Sequence, residues 1–195
     1  MVWKSKKQRP AVKDVCDVKD GKRRVAVFAG SFDPFTVGHL DLVNRAAQIF
    51  ESLIVLVAQN ANKKNLFDAE TRKAMVEVAV SGIPNVSVAV YGGLTVDFMK
   101  SVNARYLVRG IRNASDLDAE QAVAWNNKVL CGDVETVFLM SAQEHLAVSS
   151  SVVRELLKCG CGKGGAEQKV LLSKFVPQNM LPMLLKDFRK VYETV

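Results

Sequence analysis

Two short runs, Arg24–Ala29 (RVAVFA) and Leu53–Ala58 (LIVLVA), constrain the fold more than any other feature of the chain. Both are continuous, β-branched and apolar, without the polar alternation of a half-exposed strand. That is the pattern of strands buried on both faces of a parallel sheet. Parallel neighbours cannot be joined by a tight hairpin, so each strand has to be followed by a crossover, usually a helix. The sequence supplies the helices. After the first run Leu40, Val43, Ala47 and Phe50 fall on one helical face, and Asp68 is placed to cap a second helix with Met75, Val78 and Ala79 inward. Val86, Val88 and Val90 follow a Pro84–Asn85 turn as a third strand, with Tyr106–Val108 and Thr136–Met140 as the fourth and fifth. Thr95 is expected to cap a short helix through Met99 and Val102. Ser115 or Asp116 should open one reaching Val129, and Ser149 one ending near Lys158. A last amphipathic helix, from about Gln178, carries Leu181, Leu184, Leu185, Phe188 and Val191 as its stripe. The pattern predicts an α/β fold: a five-stranded parallel sheet with helices on both faces, plus a C-terminal helix.

With 195 residues the chain has material for one well-buried domain. The expected layout is a basic N-terminal extension over 1–22 and a single domain over 23–195, interrupted by a glycine-rich loop at 159–169. The formal charge of +7 invites a nucleic-acid reading, but residues 1–24 hold nine Lys/Arg against three Asp, and the rest is almost neutral. The basicity therefore belongs to the leader, which reads as a solvated tail, and nucleic acid is not the expected partner. Nothing after the leader has the apolar core of a secretory signal, and no run is long enough to span a membrane. Cys16, Cys131, Cys159 and Cys161 lack the spacing of a disulfide framework, which points to the cytoplasm. The C-x-C at Cys159–Cys161 has no second pair and reads as a loop with two thiols.

The chemistry is concentrated where strands end. Ala29-Gly30-Ser31-Phe32-Asp33-Pro34-Phe35-Thr36-Val37-Gly38-His39 leaves the first strand and enters a helix. That junction is where open parallel sheets bind ligands, and a helix start favours phosphate through its free N–H groups and dipole. Asp33 reads as a structural turn residue before Pro34. Ser149-Ser150-Ser151-Val152-Val153-Arg154 opens another helix at the same rim, while Lys63-Lys64 and Arg109-Gly110-Ile111-Arg112 are expected just beyond the second and fourth strands. Together these donors suit a polyphosphate. No nucleophile–base dyad accompanies them, and G-S-F-D-P lacks the second glycine of a hydrolase elbow.

G-S-F-D-P…T-V-G-H, Lys63, R-G-I-R and S-S-S-V-V-R together resemble the phosphopantetheine adenylyltransferases, members of the H-x-G-H nucleotidyltransferase superfamily, here in a T-x-G-H form. The similarity covers about residues 23–158 and resumes at Lys174-Phe175-Val176-Pro177. It implies a Rossmann-like fold, usually assembled as a hexamer, joining ATP and 4′-phosphopantetheine with Mg2+ to give dephospho-coenzyme A and pyrophosphate. It also implies site roles. His39 would act on the α-phosphate in the transition state, supported by the cations Lys63 and Arg109. Ser31, Lys63, Thr95 and Arg109 would hold phosphopantetheine. Ser31, Phe32, His39, Gly110, Ile111, Arg112, Glu120, His145, Leu146, Ala147, Val148, Ser149, Ser150 and Ser151 would bind ATP. No protein side chain is expected to ligate the metal. Ser31, Thr95, Ala119 and His145 depart from the residues most frequent at those positions.

Two other readings compete. A nicotinamide-mononucleotide adenylyltransferase or a cytidylyltransferase of the same superfamily would use the same rim. The first favours a histidine where Thr36 stands, and the second an R-T-x-G-I-S-T-T string that this chain lacks. A non-catalytic nucleotide-binding module using the basic leader on nucleic acid would instead bind oligonucleotides in a salt-dependent way.

Overall fold

In the computed structural model, which describes residues 24–59, 64–159 and 166–193, the five expected strands are present. They are β1 (Val25–Gly30), β2 (Ser52–Ala58), β3 (Val86–Tyr91), β4 (Tyr106–Ile111) and β5 (Glu135–Met140). All pair in parallel, in the order β3-β2-β1-β4-β5. The two runs that begin the argument are the central pair. Leu53 to Val57 of β2 and Ala26 to Ala29 of β1 are buried on both faces.

The helices are α1 (Val37–Ile49), α2 (Ala69–Val80), α3 (Thr95–Ser101), α4 (Ala114–Leu130), α5 (Ser150–Cys159), α6 (Ala166–Leu172) and α7 (Leu181–Glu193), with a short 3-10 turn at Gln143–His145. One face of the sheet, through Phe28, Val55 and Val57, packs on Leu42 and Val43 of α1, Met75 and Val76 of α2, Leu157 of α5, and Leu184 and Phe188 of α7. The other face, through Val27, Ile54 and Leu56, packs on Phe98 and Met99 of α3. α4 also lies on that side, but none of its residues is buried.

Several expected boundaries shift, each for a local reason. Asp68 caps α2 as expected, accepting from Thr71 N at 2.7 Å. Thr95 does not cap α3: Leu94 holds the cap position without a side-chain bond, and Thr95 is the first helical residue. Neither Ser115 nor Asp116 caps α4. Asn113 does, accepting from Asp116 N at 2.9 Å, which leaves the Asp116 carboxylate for other work. Arg109, Gly110 and Ile111 belong to β4 rather than following it. The C-terminal helix begins at Leu181, after turn-type bonds from Met180 N to Pro177 O and Leu181 N to Gln178 O. The expected loop at 159–169 ends earlier than its glycines suggest, because Ala166 already starts α6; residues 160–165 lie outside the described residues, as do the leader 1–22 and Lys63.

The β1–α1 loop, Ser31–Thr36, is fixed from several directions. Arg72 of α2 is only 1% exposed, and its guanidinium donates to the carbonyls of Ser31, Ala58 and Phe67. Asp33, also buried, accepts from Leu66 N at 2.7 Å and Phe67 N at 3.0 Å. From α5, Arg154 donates to Asp33 O at 2.6 Å and Ser150 to Pro34 O at 2.8 Å. Phe175 O accepts from Val37 N at 2.9 Å. Replacing Arg72 with leucine leaves one buried and two part-buried carbonyls without their donor, at about 1–3 kcal/mol for a buried one and less for the others. Arg72→Leu is therefore expected to lose about 3 kcal/mol or more of stability, read as a lower midpoint in urea unfolding; an unchanged midpoint would show that water replaces the guanidinium.

Candidate active site

β1 pairs with β2 along all six of its residues but with β4 at only three: Ala26 with Tyr106, Val27 with Leu107, and Phe28 with Val108. Beyond Phe28 the two strands part. β1 leads outward to β2 and β3, whereas β4 and β5 lie on its other side, so the gap opens where the strand order reverses. A cleft of about 320 Å³ fills it, lined by β1 and its loop, by the start of α1, by the end of β4 and by the rim of α5. Gly110 lets α1 approach closely here, since a Cβ would meet Leu42 Cδ1 at 2.3 Å and force that buried side chain to move.

Most of the expected site residues meet in this cleft. Ser31, Phe32, His39, Arg109, Gly110, Arg112, Glu120, His145, Val148, Ser149 and Ser150 all line it. Thr95, Ile111, Leu146, Ala147 and Ser151 are not among its lining residues, and Lys63 lies outside the described residues. The Phe32 side chain is buried, at a backbone φ of 48° that non-glycine residues seldom adopt, and packs tilted against Phe28 and edge-to-face with Phe35 and His39. Its ring is core, and what it offers a ligand is backbone. The three serines at the start of α5 are less free than their number suggests. Ser149 Oγ caps Val152 N at 3.2 Å, Ser150 is spent on Pro34 O, and Ser151 Oγ accepts from Arg154 at 3.0 Å. The rim therefore depends on the helix start itself as much as on the hydroxyls.

His39 is set by the cap of α1. Thr36 N donates to His39 Nδ1 at 3.0 Å, Thr36 Oγ1 lies 3.0 Å from the same atom, and His39 N returns a bond to Oγ1 at 3.3 Å. A ring nitrogen that accepts from an amide carries no proton, so the neutral ring is the Nε2–H tautomer and Nε2 is its donor. Desolvation among the surrounding rings, reinforced by the charges of Arg112 and Arg109, lowers the His39 pKa from 6.5 to about 4. At neutral pH the cleft thus holds a neutral hydrogen-bond donor beside two fixed cations.

Those cations are themselves paired. Arg109 grips Glu120 with Nε at 2.7 Å and Nη2, and its Nη1 reaches back across the gap to Ala29 O. Arg112 grips Asp116 through Nε at 2.9 Å and Nη2 at 3.2 Å, and Asp116 also accepts from Arg112 N. Those hydrogen bonds hold the Asp116 carboxyl below the usual range and raise the Arg112 guanidinium. Asp116 and Ser141, both in the lining, were missed from sequence. The i,i+4 spacing of Arg112 and Asp116 was a readable signal for the first.

A crevice lined by arginines and serines at the reversal of a parallel sheet, with a histidine at the first helix start, is the site of a nucleotidyltransferase, the class that the relatives of this chain share. The chain matches the cytidylyltransferase-like family over residues 27–156. It is 45% identical over 163 residues to a phosphopantetheine adenylyltransferase of Levilactobacillus brevis, covering 84% of this chain and 98% of that one. A second phosphopantetheine adenylyltransferase, from Leuconostoc mesenteroides, is 44% identical over 160 residues, covering 82% and 93%. One from Dictyoglomus thermophilum is 46% identical over 140, covering 71% and 85%. The chain belongs to the phosphopantetheine adenylyltransferase family. Among solved structures, a putative nicotinate-nucleotide adenylyltransferase from Vibrio parahaemolyticus shares the fold with a TM-score of 0.64 at 16% identity, over 89% of this chain and 97% of that one. A bifunctional NMN adenylyltransferase/ADP ribose pyrophosphatase from Francisella tularensis does so with the same TM-score and identity, over 88% and 52%.

The depressed His39 pKa has a consequence for stability. Between the folded value near 4 and the unfolded value of 6.5 the unfolded chain binds the extra proton, so stability is full above about 6.5 and drains as pH falls toward 4. In His39→Gln the denaturant midpoint should depend less steeply on pH across that window. In the wild type, imidazole NMR should report the Nε2–H tautomer at pH 7 and a titration midpoint near 4; a midpoint at 6.5 would refute the assignment.

Proposed function

We propose that this chain transfers the adenylyl group of ATP to 4′-phosphopantetheine, releasing dephospho-coenzyme A and pyrophosphate. The observation that carries the reading is the neutral His39 donor, fixed by the α1 cap, beside Arg109 and Arg112 in the gap between β1 and β4. The attacking oxygen belongs to a phosphate monoester that is mostly dianionic near neutral pH, with a second pKa of about 6, so no enzymatic base is needed. The oxygen forms a bond to the α-phosphorus of ATP, and the bond to the β-phosphate breaks with its electron pair leaving on pyrophosphate. What the protein supplies is alignment and charge neutralisation. His39 Nε2–H donates to a non-bridging α-phosphate oxygen. Arg109, with Ser31, Thr95 and Lys63, takes the acceptor. Arg112, Gly110, Ile111, Glu120 and the rim from His145 to Ser151 take ATP, with Ser31 and Phe32 also touching it.

Mg2+ belongs to this reading as a passenger on ATP, where it would neutralise phosphate charge. The donor set fits that form. The two carboxylates lining the cleft are taken by arginines, and no group of three or more His, Cys, Asp and Glu side chains among the described residues could hold a metal alone. We also propose a homo-oligomer, the hexamer usual for the family. α4 buries none of its residues, and Trp125 is 70% and Val129 87% exposed, with Leu130 and Met140 also open. We place the reaction in the cytoplasm, which suits the free thiols of Cys131 and Cys159. No helix among the described residues is long and apolar enough to cross a membrane.

Pyrophosphate release from ATP, compared across 4′-phosphopantetheine, nicotinamide mononucleotide and glycerol phosphate, tests the reading; preference for nicotinamide mononucleotide would select the rival. His39→Ala is expected to cut kcat by about 10²–10³ while ATP affinity changes little. Replacing Arg109 by Lys keeps the charge and removes the planar grip, so calorimetry should show weaker phosphopantetheine binding with ATP less affected. Arg112→Lys should show the opposite bias. Equal losses for both ligands in both variants would leave only a shared anionic pocket.

A further inference from the structure

Arg109 is the most heavily committed cation in the cleft. Its Nε and Nη2 are on the two oxygens of Glu120, and its Nη1 is on Ala29 O. The Nε/Nη2 edge is the one that Glu120 occupies with both its oxygens, so a phosphate gripped by that edge takes the place of the Glu120 carboxylate. We propose that Glu120 is an exchange residue: a resident counter-anion that the acceptor phosphate displaces from Arg109, and that returns to Arg109 to drive the product out. The inference rests on the proposed placement of the acceptor phosphate at Arg109.

The reaction itself supplies the asymmetry that such an exchange needs. The acceptor arrives as a phosphate monoester carrying close to two negative charges. Once its oxygen has bonded to the α-phosphorus, the same phosphate is an inner group of a pyrophosphate diester with one negative charge. Its hold on a guanidinium falls accordingly, because Coulombic attraction scales with charge. Glu120 carries one charge throughout and is covalently tethered to α4 within reach of Arg109, so it competes at high effective concentration. A dianion overcomes that competition, and the monoanionic product is the weaker contender. No proton moves in the exchange.

Arg109 and Glu120 are also placed for reversible pairing. Their side chains are 28% and 18% exposed, so neither charge is stranded in a dry interior when the pair opens. Both residues line the cleft, and Arg109 keeps its tie to the Ala29 carbonyl while Glu120 swings away. Removing the Glu120 charge should then do what the loss of a merely structural pair does not: tighten binding and slow turnover together.

Glu120→Gln keeps the length of the side chain and removes the competing charge. Calorimetric titration of the full-length protein with 4′-phosphopantetheine and with dephospho-coenzyme A should show both bound about three- to tenfold tighter than by wild type, the worth of one part-buried charge-assisted pair. Steady-state kinetics should show a lower KM for phosphopantetheine, a lower kcat and stronger product inhibition. Glu120→Met, of similar length and uncharged, should reproduce these changes and guards against a peculiarity of the amide. If both variants bind the two ligands no tighter than wild type, while Arg109→Lys still weakens phosphopantetheine, Glu120 merely orients Arg109 and the exchange is refuted. If Arg109→Lys leaves phosphopantetheine affinity unchanged, the placement of the acceptor phosphate falls and the exchange falls with it.

Discussion

The catalytic rim hangs on one buried guanidinium. Arg72 gathers the carbonyls of Ser31, Ala58 and Phe67, the ends of three segments that have no backbone ladder in common at that point. Where β1 and β2 stop pairing, their last carbonyls face a region that neither strand can satisfy, and unpaired buried carbonyls are costly. A single fork with several donors resolves all three at once, and a lysine has no such geometry. Asp33 does the reciprocal work on the amides of Leu66 and Phe67. The loop that presents Ser31 and leads to His39 is therefore tied down by side chains from α2 and α5, although it has no regular structure of its own.

The same economy shows at His39. Thr36 caps the helix, and the capping contact also dictates which ring nitrogen bears the proton. Three phenylalanines around the ring, two of them in the motif itself, then keep it neutral between two arginines. Charge and hydrogen-bond donation are thereby divided between different residues: the arginines supply the first and the histidine the second. A histidine free to ionise near pH 6.5 would make the potential of the cleft vary through the physiological range.

Much of this was legible in the sequence. The five strands were found within a residue or two on most edges, because continuous β-branched runs have few alternatives, and the rim motif placed His39, Arg109, Arg112 and Ser149 in one cleft. What failed was local competition. Asn113 and Asp116 are both good caps by type, and only the pairing of Asp116 with Arg112 decides which of them serves. Helix α6 escaped because its seven residues follow a glycine-rich stretch and Leu172 is its only fully buried side chain among those described. Arg72 was not singled out, although it stands three residues before Met75 and seven before Ala79, on the face already read as inward. Phe32 lines the cleft as the resemblance implied, and the sequence did not show that its ring is also packed into the core.

The lightly anchored α4 carries both carboxylates that pair with the arginines of the cleft. It exposes Val123, Trp125, Val129 and Leu130, and its described ties to the body are largely polar: Asp116 on Arg112, Glu120 on Arg109, and Lys128 on Val134 O and Glu135. An element with so little burial opens locally at small cost and sits at the low end of the stability range within a fold. Opening of this one helix withdraws Asp116 and Glu120 together, so the charge balance of the cleft follows the stability of an element most of whose residues lie outside it.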